Sequence, residues 1–288
     1  MAGFEKDNER VLELAGNFLL SCPRGVTADE FDTVKSCGVS AEEAFALLFC
    51  AKMGIDTDSP DGKALYRAYI QRMFRCLDDM GYEENPYRRA IRFGGEKCGE
   101  WELREDFVLP LEAFVADDLE ETAEGRVIPR IGFFTRRFTF PAVYERGRVW
   151  MSVTPNEIAT MEEPISVSRG RVLTYGLGMG YFAFMAAEKP EVSSVTVVEK
   201  SKDAISLFTK HILPRFECKE KISIICADAF EYAEKAAPLG GYDFVFADLW
   251  HDVSDGLPMY ERLLPLEKLM PRTTVFRYWI EKTMKIYM

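Results

Sequence analysis

The chain has 288 residues, 48% of them hydrophobic and 29% charged, enough for one large domain or two modest ones with substantial cores. Its formal charge of −11 works against nonspecific nucleic-acid binding, which depends on Lys and Arg neutralising phosphates. The short basic groups Arg88, Arg89 and Arg92, and Arg136 and Arg137, read as solvated faces or local ion-pair partners.

Seven cysteines are scattered as Cys22, Cys37, Cys50, Cys76, Cys98, Cys218 and Cys226, with no CxxC pair and only His211 and His251 beside them. Neither a metal site nor a disulfide framework is expected from that pattern. Glu5, Asp7, Glu9 and Glu13 are incompatible with a secretory signal, and no apolar run approaches the ~18 residues that span a bilayer. The expectation is a cytoplasmic protein without membrane association.

Residues 1–83 read as a helical domain. Val11, Leu12, Leu14, Phe18 and Leu19 recur at helical spacing, and Thr27 with Glu30 and Ser40 with Glu43 fit capping boxes. Ser59-Pro60 starts a fourth helix, expected to run through Leu65, Tyr69, Met73 and Leu77 to a stop at Gly81. A lid or a homodimer contact would suit such a unit. Residues 84–165 form a mixed segment with a β-hairpin insert: Ile131–Tyr144 and Arg148–Val153 are strands broken by Pro141 and Gly147, and a helix begins after Pro155.

Residues 166–288 alternate short apolar runs with helical stretches. The runs are Val172–Tyr175, Val195–Glu199, Ile222–Ala227, Phe244–Leu249 and Thr273–Trp279. Strands apolar throughout, alternating with helices, imply a parallel sheet covered on both faces. The expected fold class is α/β, a Rossmann-like parallel sheet of order 3-2-1-4-5 preceded by the helical domain and the hairpin insert.

Between the first of those strands and its helix lies Tyr175-Gly176-Leu177-Gly178-Met179-Gly180, a tight turn at which a ligand can approach the backbone. Taken alone it is equally a sharp strand-to-helix turn. Glu199 ends the next strand at the spacing where an acid grips both ribose hydroxyls, with Lys200 beside it. Asp228 ends the third strand, where it can take the exocyclic amine of adenine next to Ala229 or simply cap the following helix. Asp248 ends the fourth, beyond the carboxyl ends of the strands. The expected cofactor-binding residues are therefore Tyr175, Gly176, Gly178, Gly180, Glu199, Lys200, Asp228, Ala229 and Asp248. For chemistry, Asp248 is the candidate acid and His251, flanked by Asp248 and Asp252, the candidate base. Trp250 could shelve a ring or pack in the core, and His211 reads as a helix-terminus residue.

GLGMG at 176–180, VTVVEK at 195–200, CADAF at 226–230 and YDFVFADLW at 242–250 resemble the class I S-adenosylmethionine-dependent methyltransferases. The resemblance covers about residues 168–280. It implies S-adenosyl-L-methionine as cofactor, with the glycine turn facing its methionine portion, Glu199 the ribose and Asp228 the adenine. A nicotinamide-dinucleotide fingerprint would need glycine at 181, where this chain has Tyr181. Spermidine synthases are a second resemblance, through the strand pair around Val143–Ser152 and the segment Asp248, Asp252 and Gly256-Leu257-Pro258-Met259-Tyr260. Their glycine turn carries an acid where this chain has Met179. After the fifth strand only Ile280–Met288 remains, so the helix and strand pair that complete a class I methyltransferase are not expected. The absence of Asn-Pro-Pro-Tyr after the fourth strand points away from nucleobase acceptors. These features imply a methyltransferase acting on a small-molecule substrate, with an aminopropyltransferase using decarboxylated S-adenosylmethionine, or a non-catalytic nucleotide-binding module, as alternatives.

Overall fold

The computed structural model describes residues 4–92 and 94–288. Twelve strands are assigned among them: β1 (Phe74–Cys76), β2 (Glu96–Cys98), β3 (Trp101–Val108), β4 (Phe114–Glu121), β5 (Val127–Phe133), β6 (Phe138–Glu145), β7 (Arg148–Ser152), β8 (Gly170–Tyr175), β9 (Val192–Glu199), β10 (Ile222–Cys226), β11 (Phe244–Ala247) and β12 (Val275–Tyr278). The chain divides into two compact units, residues 1–81 with 107–139, and residues 82–106 with 140–288. These are not the three consecutive segments expected. Residues 107–139 supply β4 and β5, which pair with β1 of the first unit, so strand pairing cuts across the sequential order.

The first unit opens with helices Glu5–Ser21, Ala28–Lys35, Ala41–Lys52 and Pro60–Ala68. Thr27 forms a complete capping box with Glu30, and Ser40 and Ser59 each accept the backbone N–H three residues on. Its core is aromatic: Phe45 stacks on Phe133 at 4.3 Å between centroids, and Phe18 meets Phe49 edge-on at 5.1 Å. The fourth helix stops at Ala68, short of the expected Gly81, and Phe74–Cys76 is a strand. Parallel pairing of Phe74, Arg75 and Cys76 with Ile131, Gly132 and Phe133 overrides the helical spacing of Met73 and Leu77. Gly81 itself lies inside a short helix, Asp79–Glu83.

The second unit holds most of a four-stranded sheet, β2-β3-β6-β7, and all of a five-stranded parallel sheet, β10-β9-β8-β11-β12, in a Rossmann-like α/β arrangement. Pro141 does not break its strand: β6 runs through it, and the Pro141 carbonyl accepts the Val153 N–H at 2.9 Å, so proline keeps the acceptor half of its pairing. The break falls at 134–137 instead. Between β6 and β7, Arg146 and Gly147 both take positive φ, 51° and 77°, as a two-residue hairpin turn requires.

The parallel strands are apolar on both faces. Val172, Leu173, Val195, Val197, Val198 and Phe244–Ala247 are all buried. Their register sets Tyr175 level with Val198 and Ala247, and Glu199 level with Cys226, so the carboxyl ends of β8, β9, β10 and β11 finish together. The chain passes from β8 outward to β9 and β10, then returns to place β11 on the other side of β8. That reversal opens a crevice between the loops after β8 and β11. Among the described residues no helix is long and apolar enough to cross a membrane.

Candidate functional site

The residues following the level strand ends meet in one open cleft. Gly176, Leu177 and Gly178 form one wall, Glu199 and Lys200 the next, Asp228, Ala229 and Phe230 a third, and Asp248 to His251 the fourth. Seven of the nine expected cofactor-binding residues line it, and both expected catalytic residues do. Tyr175 and Gly180 do not. Tyr175 is buried among Ala233, Val245 and Leu263, away from the cleft. Gly180 begins helix Tyr181–Ala187 at φ +72°, and a Cβ there would collide with the Phe208 ring. Glycine at 180 answers a packing requirement.

At Gly176 the requirement is double: φ is +94°, and a Cβ would strike the Asp248 carbonyl oxygen across the crevice. The loop it starts is held from two sides. Glu199 accepts the Leu177 N–H at 3.3 Å on Oε2 and the Ser201 N–H at 2.7 Å on Oε1. Each oxygen retains a lone pair, so the carboxylate can still receive a diol. From the other side Tyr87, fully buried, donates its hydroxyl proton to the Met179 carbonyl at 2.5 Å. Asp228 is an N-cap as well as a lining residue: Oδ1 accepts the Phe230 and Glu231 N–H groups, both at 3.0 Å, which leaves Oδ2 for a ligand.

The fourth wall carries the ionisable groups. Burial pushes the Asp248 carboxyl up to about 7. The His251 ring Nδ1 lies 3.0 Å from Asp255 Oδ2, and Asp255 also accepts the backbone N–H groups of His251 and Asp252 at 3.0 Å. Burial works to raise the Asp255 carboxyl, but those hydrogen bonds outweigh it and hold it below its ordinary value. Asp252, expected beside the imidazole, instead caps helix Val253–Leu263 through the Ser254 N–H at 2.7 Å. The partner of His251 is therefore Asp255, four residues on, an arrangement in which a carboxylate can orient an imidazole for proton transfer. Trp250 lines the cleft while 5% exposed, and its indole N–H has no partner among the described residues.

Three further contributors come from outside the strand-end motifs. The hairpin strand β7 brings Trp150 and Met151 to the cleft. Trp150 sits edge-on between His251, at 4.5 Å, and Trp101, at 5.6 Å. Met151 lies against the glycine loop, its sulfur 3.3 Å from the Met179 N–H. Glu157, in the first turn of helix Pro155–Val167, shares a smaller cavity with Asp248 behind the loop. Alternation along β7 would send Trp150 and Met151 to opposite faces, and the register shift between Val143 and Tyr144 at that point was not visible in the sequence; the i,i+4 spacing could have flagged Asp255. Glu157 reads in sequence as an ordinary first-turn acid.

No protein-family model matches the chain, and no curated protein matches it. Among solved structures the chain is similar to cofactor-bound Rv0187 from MTB, with TM-score 0.32 and 19% identity over 41% of this chain and 52% of that one. It is similar to spermidine synthase from Thermotoga maritima, with TM-score 0.32 and 17% identity over 44% and 49%. A conserved hypothetical protein from Streptococcus pyogenes gives TM-score 0.29 and 19% identity over 37% and 65%. The likeness thus spans less than two thirds of each of those chains and less than half of this one.

Proposed function

We propose that this chain binds S-adenosyl-L-methionine in the strand-end cleft and transfers its methyl group to a small-molecule acceptor. The observation that carries the reading is the double role of Glu199, which anchors the glycine loop through the Leu177 N–H while lining the cleft opposite Asp248. A carboxylate so placed receives the ribose diol, Asp228 Oδ2 the adenine amine, and the open loop the methionine portion. Methyl transfer then asks the protein for alignment and for a base where the nucleophile carries a proton. His251, oriented by Asp255, supplies that base.

The hairpin favours a second reading. β7 places Trp150 and Met151 on the cleft, in keeping with the spermidine-synthase resemblance of the same segment. In that case the transferred group is aminopropyl, from decarboxylated S-adenosylmethionine.

A thermal-shift panel with S-adenosylmethionine, S-adenosylhomocysteine, decarboxylated S-adenosylmethionine, methylthioadenosine and a nicotinamide dinucleotide separates these readings. A ligand at a hundred times its dissociation constant stabilises the fold by ~2.7 kcal/mol. S-adenosylmethionine and S-adenosylhomocysteine are expected to shift the transition most. A larger shift from the decarboxylated form promotes aminopropyl transfer, and silence from every sulfur nucleotide overturns both.

A further inference from the structure

Glycine at 178 makes room for a side chain of the protein itself. Its φ is +48°, and a Cβ there would collide with the Met151 sulfur. That sulfur also accepts the Met179 N–H at 3.3 Å. Met151 thus covers the second half of the glycine loop, while Gly176 and Leu177 line the open cleft.

A register shift brings Met151 there. In the β6–β7 pair Met151 lies opposite Val143 and Val149 opposite Tyr144, so Trp150 is an extra residue and the strand is bulged. The bulge lets two consecutive side chains reach the cleft. Trp150 is taken up by His251 and Met151 by the loop.

Beyond Met151, between Val153, Met161, Phe182 and Asp248, the free space is about 10 Å³, room for about one water. A nucleoside whose 5′ sulfur carries only a methyl group has no need of that space or of the covered backbone. An amino-acid arm adds several heavy atoms, which have no place along Gly178 and Met179 while Met151 lies there. The cover is movable. A thioether is a weak acceptor, and an unbranched side chain with three rotatable bonds changes rotamer more readily than a branched one.

We propose that Met151 is a gate that sorts 5′-thionucleosides by the length of the sulfur substituent. A methyl group is accepted with Met151 in place, and an amino-acid arm enters along Gly178 and Met179 only after Met151 swings out. This rests on the transferase reading and names the residue that decides which form of the nucleotide enters.

Titration calorimetry compares methylthioadenosine, with the short substituent, and S-adenosylhomocysteine, with the long one, on wild type and on Met151→Ala. Removing the gate removes the penalty on the long arm alone, so the ratio of affinities is expected to move about fivefold or more toward S-adenosylhomocysteine. Met151→Leu keeps the bulk but not the sulfur or the freedom to swing, and should not move the ratio that way. On wild type, stopped-flow tryptophan fluorescence supplies a second measure. The observed rate for S-adenosylhomocysteine should level off at high concentration, where gate opening limits it, while that for methylthioadenosine keeps rising. Binding of both ligands with the same ratio in Met151→Ala as in wild type overturns the gate alone, as does an equal shift in Met151→Leu. If Met151→Ala does not fold, the wild-type rates decide, and a linear rise for both ligands overturns the gate. Binding of neither ligand to either protein overturns the transferase reading and the gate with it.

Discussion

His251 and Asp255 sit one helical turn apart in number, yet the histidine precedes the helix and the aspartate lies in its first turn. Three hydrogen-bond donors from residues 251 and 252 converge on the Asp255 carboxylate, which fixes the imidazole by one nitrogen and leaves the other for a substrate proton. Asp255→Asn keeps the shape while weakening that hold. Turnover is expected to fall about tenfold to a hundredfold with little change in KM, and the pH–rate profile should move with it. A change in KM alone would mean that Asp255 serves the helix cap and not the base. Glu199→Ala is expected to weaken S-adenosylhomocysteine and methylthioadenosine about equally, by about tenfold or more, because both carry the ribose. Calorimetry showing either ligand unmoved would displace the ribose from Glu199.

At the scale of elements, the glycine loop is held by a segment far from it in sequence. Helix Pro86–Ala90 presents Tyr87 to the Met179 carbonyl, and Asn85 donates to the Tyr181 hydroxyl at 3.0 Å. Tyr87→Phe leaves a buried carbonyl without its donor, so a loss of about 1–2 kcal/mol is expected, read as a lower urea midpoint. An unchanged midpoint would mean that another donor reaches that carbonyl. This support was invisible in the sequence, as were β1 and the unbroken β6, because each depends on a partner distant in the chain. The parallel strands and the residues at their tips were legible, because a strand buried on both faces is a continuous apolar run whose end marks the crevice. Tyr175 and Gly180 were misplaced for a related reason. A motif gives the order of residues around a turn, whereas packing against Phe208 or Leu263 decides which of them face a ligand.

The whole molecule carries 47 acidic against 36 basic side chains, so rising pH adds repulsion everywhere. Onto that diffuse effect Glu157 and Asp248 impose a local one of definite sign. The Asp248 carboxyl has an ordinary value of 3.8 and is pushed to about 7 in the folded chain, and Glu157 moves the same way. Between those limits the folded state holds a proton that the unfolded chain has released. Their contribution to stability is therefore intact in acid and is lost as pH rises toward 7. Asp248→Asn and Glu157→Gln remove the cost of ionising the pair, a cost that begins above the ordinary carboxylate value and grows up to about pH 7, so each is expected to gain about 1–3 kcal/mol more relative to wild type at pH 8 than at pH 5. The diffuse repulsion is controlled by Glu261→Gln, which deletes one charge at an exposed position of helix Val253–Leu263. That variant should track wild type within about 0.5 kcal/mol at both pH values. Urea midpoints at pH 5 and pH 8 for the four proteins check the argument. A gain of the same size for Glu261→Gln would transfer the effect from the buried pair to the net charge, and no gain for either buried substitution would mean that the two carboxyls are solvated in the folded chain.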